Sequence, residues 1–136
     1  MEILTLQDWL MGRDTEYPAD YSKEIEQNAL DLIKRVNGLL NDLEIRQITV
    51  SSGWRPPEIN KSIGGSVKSN HVIGKAVDIV DDKEQSIAKR ILENPDLLKK
   101  HGLWLEDPDY TKGKRTNWVH LDTKSRSKRS VNKFIP

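Results

Sequence analysis

Hydrophobic and polar positions follow several different periods along the chain, and each period predicts an element. Ile25, Ala29, Leu32, Ile33, Val36, Leu39, Leu40 and Leu43 recur at steps of four, three and one. That stripe has the 3.6-residue period of a helix buried along one face. Ser22 is placed to cap its N-terminus, and Glu24 and Glu26 suit the positive end of its dipole. Upstream, Leu4, Leu6, Trp9 and Leu10 read as packing anchors, with a turn at Pro18 and Asp20. From Ile45 to Ser51 the period drops to two, predicting a strand with Ile48 and Val50 on one face. Ser52 to about Ser69, rich in Gly, Pro, Ser and Asn, reads as a loop. Ala76 to Val80 is a short apolar strand interrupted by Asp78. Asp82 and Gln85 form a capping-box pattern ahead of a helix carrying Ile87, Ala88, Ile91 and Leu92. Asn94-Pro95 ends that helix, and a further helical turn fits before Gly102. Leu103 to Glu106 and Trp118 to Asp122 read as strands separated by a polar loop.

These strands mostly follow one another without full helical crossovers. The pattern predicts an α+β fold: a small, largely antiparallel sheet with the N-terminal helices packed on one side. No linker or repeat divides the 136 residues, so one domain over residues 1–136 is expected.

Composition narrows the chemistry. There is no cysteine, which excludes disulfides, thiolate metal sites and cysteine nucleophiles. Lys and Arg total 22 against 21 Asp and Glu, a net charge of +1, which argues against binding nucleic acid through overall charge. No stretch approaches the roughly 20 apolar residues of a membrane span. The N-terminal segment carries Glu2 and Asp8 and lacks the basic start and long apolar run of a secretory signal. Synthesis as a soluble, monomeric chain is the expectation. Only three histidines are present, His71, His101 and His120, so any transition-metal site must use imidazole and carboxylate.

Two segments supply such groups. Ser69 to Asp78 reads S-N-H-V-I-G-K-A-V-D, with His71 on a loop and Asp78 inside an apolar strand. A carboxylate among Ala76, Val77, Ile79 and Val80 is costly unless it is hydrogen-bonded, ion-paired or bound to a metal. Gly74 lets the chain turn sharply between the two. In W-V-H-L-D, alternation puts Trp118, His120 and Asp122 on one face and Val119 and Leu121 on the other. Two imidazoles and a carboxylate with an open fourth position meet the requirements of a catalytic zinc site. A satisfied core histidine and a buried Asp bonded to backbone amides fit the same spacing, which leaves both open.

The ordered set S-S-G-W-R-P-P-E-I-N (Ser51 to Asn60), G-G-S (Gly64 to Ser66), S-N-H-V-I-G-K-A-V-D and W-V-H resembles the M15 family of zinc peptidases over about residues 22–122. That family includes D-alanyl-D-alanine carboxypeptidases and peptidoglycan endopeptidases such as phage endolysins, and Hedgehog signalling domains share its fold. The resemblance implies Zn2+ held by His71, Asp78 and His120. It also implies a peptidoglycan peptide as substrate and action at the cell wall. With no secretory signal, a phage-type lysis or virion-associated enzyme released by other means is expected, and a bacterial enzyme fits too, while the absence of aromatic interleaving argues against a nucleic-acid partner. Arg55, in S-G-W-R, is similar to an arginine that contacts substrate or the developing oxyanion, for which a guanidinium fork is suited. Ser69 is similar to a serine of the family and is expected either to bond substrate or to order the loop, and Trp118, with Trp54, either to line the cleft or to pack. Many family members carry the general base three residues before the last histidine, where this chain has Asn117. Other branches place a Glu at the end of the preceding strand, which falls on Glu106, with Asp107, Asp109 and Asp122 as alternatives. A non-catalytic metal-binding or wall-binding module of the same fold, and an amidase cutting the sugar–peptide bond, are the rival functions.

Outside this set, His101 reads as a helix-terminal residue favoured by the dipole. Lys124, Arg126, Lys128, Arg129 and Lys133 form a basic tail that reads first as a solvated face and second as an attraction for an anionic wall polymer.

Overall fold

The computed structural model describes residues 2–136 and has α+β architecture. Three helices come first: α1 (Leu6–Leu10), α2 (Arg13–Glu16) and α3 (Lys23–Asp42). The remainder carries β1 (Val50–Ser52), α4 (Pro57–Ser62), β2 (Ala76–Asp81), α5 (Ser86–Glu93), α6 (Asp96–Lys100), β3 (Trp104–Glu106), β4 (Asn117–Asp122) and β5 (Lys133–Phe134). The strands form one sheet in the order β1-β2-β4-β3-β5. All pairs are antiparallel except β3 with β5. No helix is long and apolar enough to cross a membrane among the described residues.

The core is what the α3 stripe predicts. Ala29, Leu32, Val36 and Leu39 are fully buried and join Val77, Ile79, Val119 and Leu121 from the two central strands in one cluster. The Ser22 hydroxyl accepts from the Ile25 amide, satisfying one donor of the first turn. Trp9 and Trp54 have no exposed surface, and their indole N–H groups donate to the Ala76 and Val72 carbonyls. Asn37, on α3, accepts from the Ile3 and Leu4 amides and donates to the Leu4 carbonyl, tying the start of the chain to the core.

Four elements differ from the sequence expectation. The strand expected from Ile45 to Ser51 is paired only from Val50 to Ser52. The Ile45 amide still donates to the Leu40 carbonyl as part of the helix end, and Glu44 turns left-handed (φ 58°) to start the descent. Ile48 and Val50 are still the half-buried positions, so the alternation is real but the ladder is short. The 52–69 loop contains α4, which Pro57 starts by supplying a helix-ready φ where no amide donor is needed. The Asp82–Gln85 capping box is replaced by an Asp pair. Asp82 accepts from the Ser86 amide, buried Asp81 accepts from the Ile87 and Ala88 amides, and Gln85 turns left-handed (φ 55°). The last strand, β5, pairs parallel to β3, so the tail closes a sheet edge.

Candidate metal centre and active-site groove

The β2–β4 register decides where the chemistry sits. Asp78 lies directly opposite His120, and their aliphatic neighbours pair on the other face, Val77 with Leu121 and Ile79 with Val119. One face therefore builds the core and the other presents the ionisable pair. His71 is brought to the same point by the turn after it. Gly74 sits at φ 87°, and a Cβ there would come within 2.6 Å of the Ile25 carbonyl oxygen, so the position requires glycine. The Ser69 hydroxyl accepts from the His71 amide at 3.2 Å and orders this loop. Gly53 is equally constrained, since a side chain would run into the Trp9 carbonyl.

His71 Nε2 is 3.3 Å from Asp78 Oδ2, and His120 Nδ1 is 2.8 Å from Asp78 Oδ1. The donor atoms of all three side chains lie within 4.8 Å of one another. Their chemistry calls for a cation. The Gly53 carbonyl, 2.8 Å from His71 Nδ1, can only accept, so Nδ1 carries the proton and Nε2 faces a carboxylate. His120 is set between two carboxylates, Asp78 at Nδ1 and Asp122 at Nε2, each at 2.8 Å. A neutral imidazole has one N–H and satisfies only one of them. Burial disfavours a charge on His120, but the hydrogen bonds to Asp122 and Asp78 outweigh it and raise the imidazole to about 9. Burial alone pushes Asp78 upward, yet its bonds to His120 and His71 hold it well below the usual carboxylate range. Tetrahedral zinc, with bonds of about 2.0–2.2 Å, holds its donors roughly 3.3 Å apart, a separation close to these. The residues therefore fit a three-ligand metal site.

Around them runs an open groove of about 330 Å³. Arg55, Ser69 and Lys68 line it on the loop side, and Glu106, Trp118 and Phe134 line it on the sheet side. Arg55 Nε donates to Ser52 Oγ at 2.9 Å and Nη2 approaches Asp78 Oδ2 at 3.4 Å. Burial disfavours the charge on Arg55 and lowers its pKa, against the pull of Asp78. Its Nη1 takes no hydrogen bond among the described residues. Glu106 is half-buried, and burial raises its carboxyl above the ordinary value. It makes no hydrogen bond or ion pair among the described residues.

The other expected residues fall as follows. Asp122 is fully buried and lines the groove, but both of its oxygens are engaged. Asp107 caps the short 3-10 turn Pro108–Tyr110 and pairs with Lys133 at 3.6 Å. Asp109 faces solvent beside Lys112. Asn117 bonds the Asp82 carbonyl and the Gly113 amide and lies outside the groove. His101 ends α6 and bonds Asp42 at 2.7 Å, away from the metal set. The tail departs most from expectation: Arg126 is not solvated but lines the groove, bonded to Asp122. Its charge was visible in the sequence, but its position i+4 from Asp122 in an irregular segment carried no signal.

A His–Asp–His set that could hold a metal thus lies in an open groove beside the Glu106 carboxylate. The model of the peptidase M15 family matches residues 4–122, and the chain belongs to that family. The protein is thus a peptidase. No curated protein matches the chain.

Proposed function

We propose that the protein is a zinc-dependent peptidase that hydrolyses a peptide bond in peptidoglycan stem peptides or cross-links. The observation that carries this reading is the convergence of His71, Asp78 and His120 in a groove that also holds Glu106, a carboxylate with no hydrogen bond or ion pair among the described residues. His71, Asp78 and His120 would hold the zinc, which would supply Lewis acidity toward water and a substrate carbonyl. The Glu106 carboxylate takes the proton of the attacking water and returns it to the leaving amine. Burial raises its pKa, the direction that makes the carboxylate a stronger base. Among the alternatives, Asp107 and Asp109 do not line the groove, and Asp122 has no acceptor position to spare. The free Nη1 of Arg55 donates to a substrate carboxylate or to the developing oxyanion. Ser69 and Trp118 contact the substrate on either side of the groove. Such a substrate places the enzyme's work at the cell wall, as for a phage-type lysis or virion enzyme.

The test is digestion of purified peptidoglycan by the zinc-loaded protein, followed by mass spectrometry of the fragments. New amino and carboxyl ends within the peptides are expected, and their residues name the bond. His120→Ala should lose both zinc and hydrolysis. Intact peptidoglycan after digestion by a zinc-loaded protein overturns the substrate, and full activity in His120→Ala overturns the site.

A further inference from the structure

The metal-ligand set is braced from outside by a segment beyond the stretch that matches the family. We propose that Arg126 and Phe134 are positioning residues for His120, Arg126 through Asp122 and Phe134 against the ring itself. The inference rests on the reading of His120 as a metal ligand.

Asp122 sits at the end of β4 with no exposed surface, opposite Ala76 and Trp104 on the flanking strands. Its acceptor positions are filled. Oδ1 takes Arg126 Nη1 at 2.6 Å and the Lys124 amide at 3.2 Å. Oδ2 takes His120 Nε2 at 2.8 Å and Arg126 Nη2 at 3.1 Å. The two-pronged guanidinium contact fixes the carboxylate in rotation as well as position, which a point charge does not. The carboxylate in turn holds the ring of His120 so that Nδ1 faces Asp78. A histidine ligand is oriented by what its second nitrogen bonds, and loss of that partner weakens the metal site.

Phe134 completes the brace. The Arg126 guanidinium lies 3.7 Å from the Phe134 ring centroid, and the same ring meets His120 edge-on at 5.8 Å. Phe134 is itself held on β5, whose backbone bonds the strand bearing Glu106: the Asp107 amide donates to the Phe134 carbonyl at 2.7 Å. Two contacts thus fix His120 from the far side, a carboxylate at one nitrogen and an aromatic wall against the ring.

The experiment measures zinc affinity of the full-length protein by competition with a chromophoric chelator, alongside the visible spectrum of the cobalt-substituted form and urea unfolding. Arg126→Ala is expected to weaken zinc binding about 10–100-fold and to alter the cobalt bands. Arg126→Lys restores the charge without the fork and recovers only part of the affinity. Phe134→Leu keeps the charge and costs about 3-fold, the scale of one cation–π contact. It decides the matter if Arg126→Ala does not fold. Arg129→Ala is the control: Arg129 overlies Trp104 and bonds the Lys133 carbonyl without touching Asp122, so zinc affinity should not change. Folded Arg126→Ala and Phe134→Leu proteins that bind zinc like the parent, with unchanged cobalt spectra, overturn the inference while leaving the peptidase reading intact. A parent protein that binds no zinc overturns both.

Discussion

Glu106 and Asp122 line one groove, yet only Glu106 is free to take a proton. Asp122 is saturated by a guanidinium, an imidazole and a backbone amide. The two carboxylates therefore divide the work: one stays charged and fixed, and the other stays available.

Replacing Glu106 with Gln removes the acceptor while keeping the shape of the side chain. Turnover should fall by about 10²–10⁴, the usual contribution of a general base. Zinc content should match the parent, because Glu106 is outside the donor set. Steady-state kinetics with metal analysis of the same sample checks both. Unchanged turnover sinks Glu106 as the base.

Burial holds the Glu106 carboxyl above its ordinary value. A base acts when deprotonated, so kcat/KM should rise with pH through an apparent pKa above that of a solvent-exposed glutamate. In Glu106→Gln the residual rate should lose this acidic limb. A profile with the limb intact in that variant assigns it to another group.

Metal removal leaves His120 between two carboxylates, raised to about 9. A group whose folded pKa is raised stabilises the fold fully below its unfolded value of 6.5 and loses that contribution as pH climbs through the folded value. The metal-free protein should therefore lose stability between about pH 6.5 and 9, while the zinc form should not follow the same curve. Because the metal requires the lone pair at Nδ1, zinc uptake near pH 7.5 should release about one proton from this site. Calorimetry in buffers of different ionisation enthalpy measures it, and a buffer-independent heat contradicts the scheme.

Gly53→Ala should damage fold and site together. The added methyl runs into the Trp9 carbonyl, and the Gly53 carbonyl is the partner that fixes His71. A stability loss of about 1–3 kcal/mol is expected from the forced backbone shift, with weaker zinc binding on top. Urea titration of the apo protein separates the two effects. Unchanged stability and affinity would show that the loop relaxes freely.

The parts of the site legible in the sequence were those carried by side chains of unusual placement. Asp78 stood out as a carboxylate in an apolar strand, and His120 as an imidazole on the polar face of an alternating one. In the fold they lie opposite each other on β2 and β4, a pairing that neither segment announces. The helix stripe from Ile25 to Leu40 was equally plain, because a 3.6 period needs no partner to be recognised. Illegible features depend on distant or backbone partners. Asp81 caps α5 across the end of a strand, so its role follows from where β2 stops rather than from any local motif. β1 is paired only over Val50–Ser52, with a register shift between those residues, although the alternation of Ile48 and Val50 continues. Arg126 looked like one basic residue among many until the chain placed it over Asp122.

The bond between Asp78 and His120 spans 42 residues of chain, with two helices and a strand between them. Joining positions that far apart costs substantial loop-closure entropy, which local structure cannot recover. The unfolded chain therefore offers a metal ion at most His71 and Asp78, seven residues apart, and not the set of three. The zinc proposed for this site would therefore be captured at the end of assembly, into a sheet already zipped, rather than serve as the seed on which the chain folds.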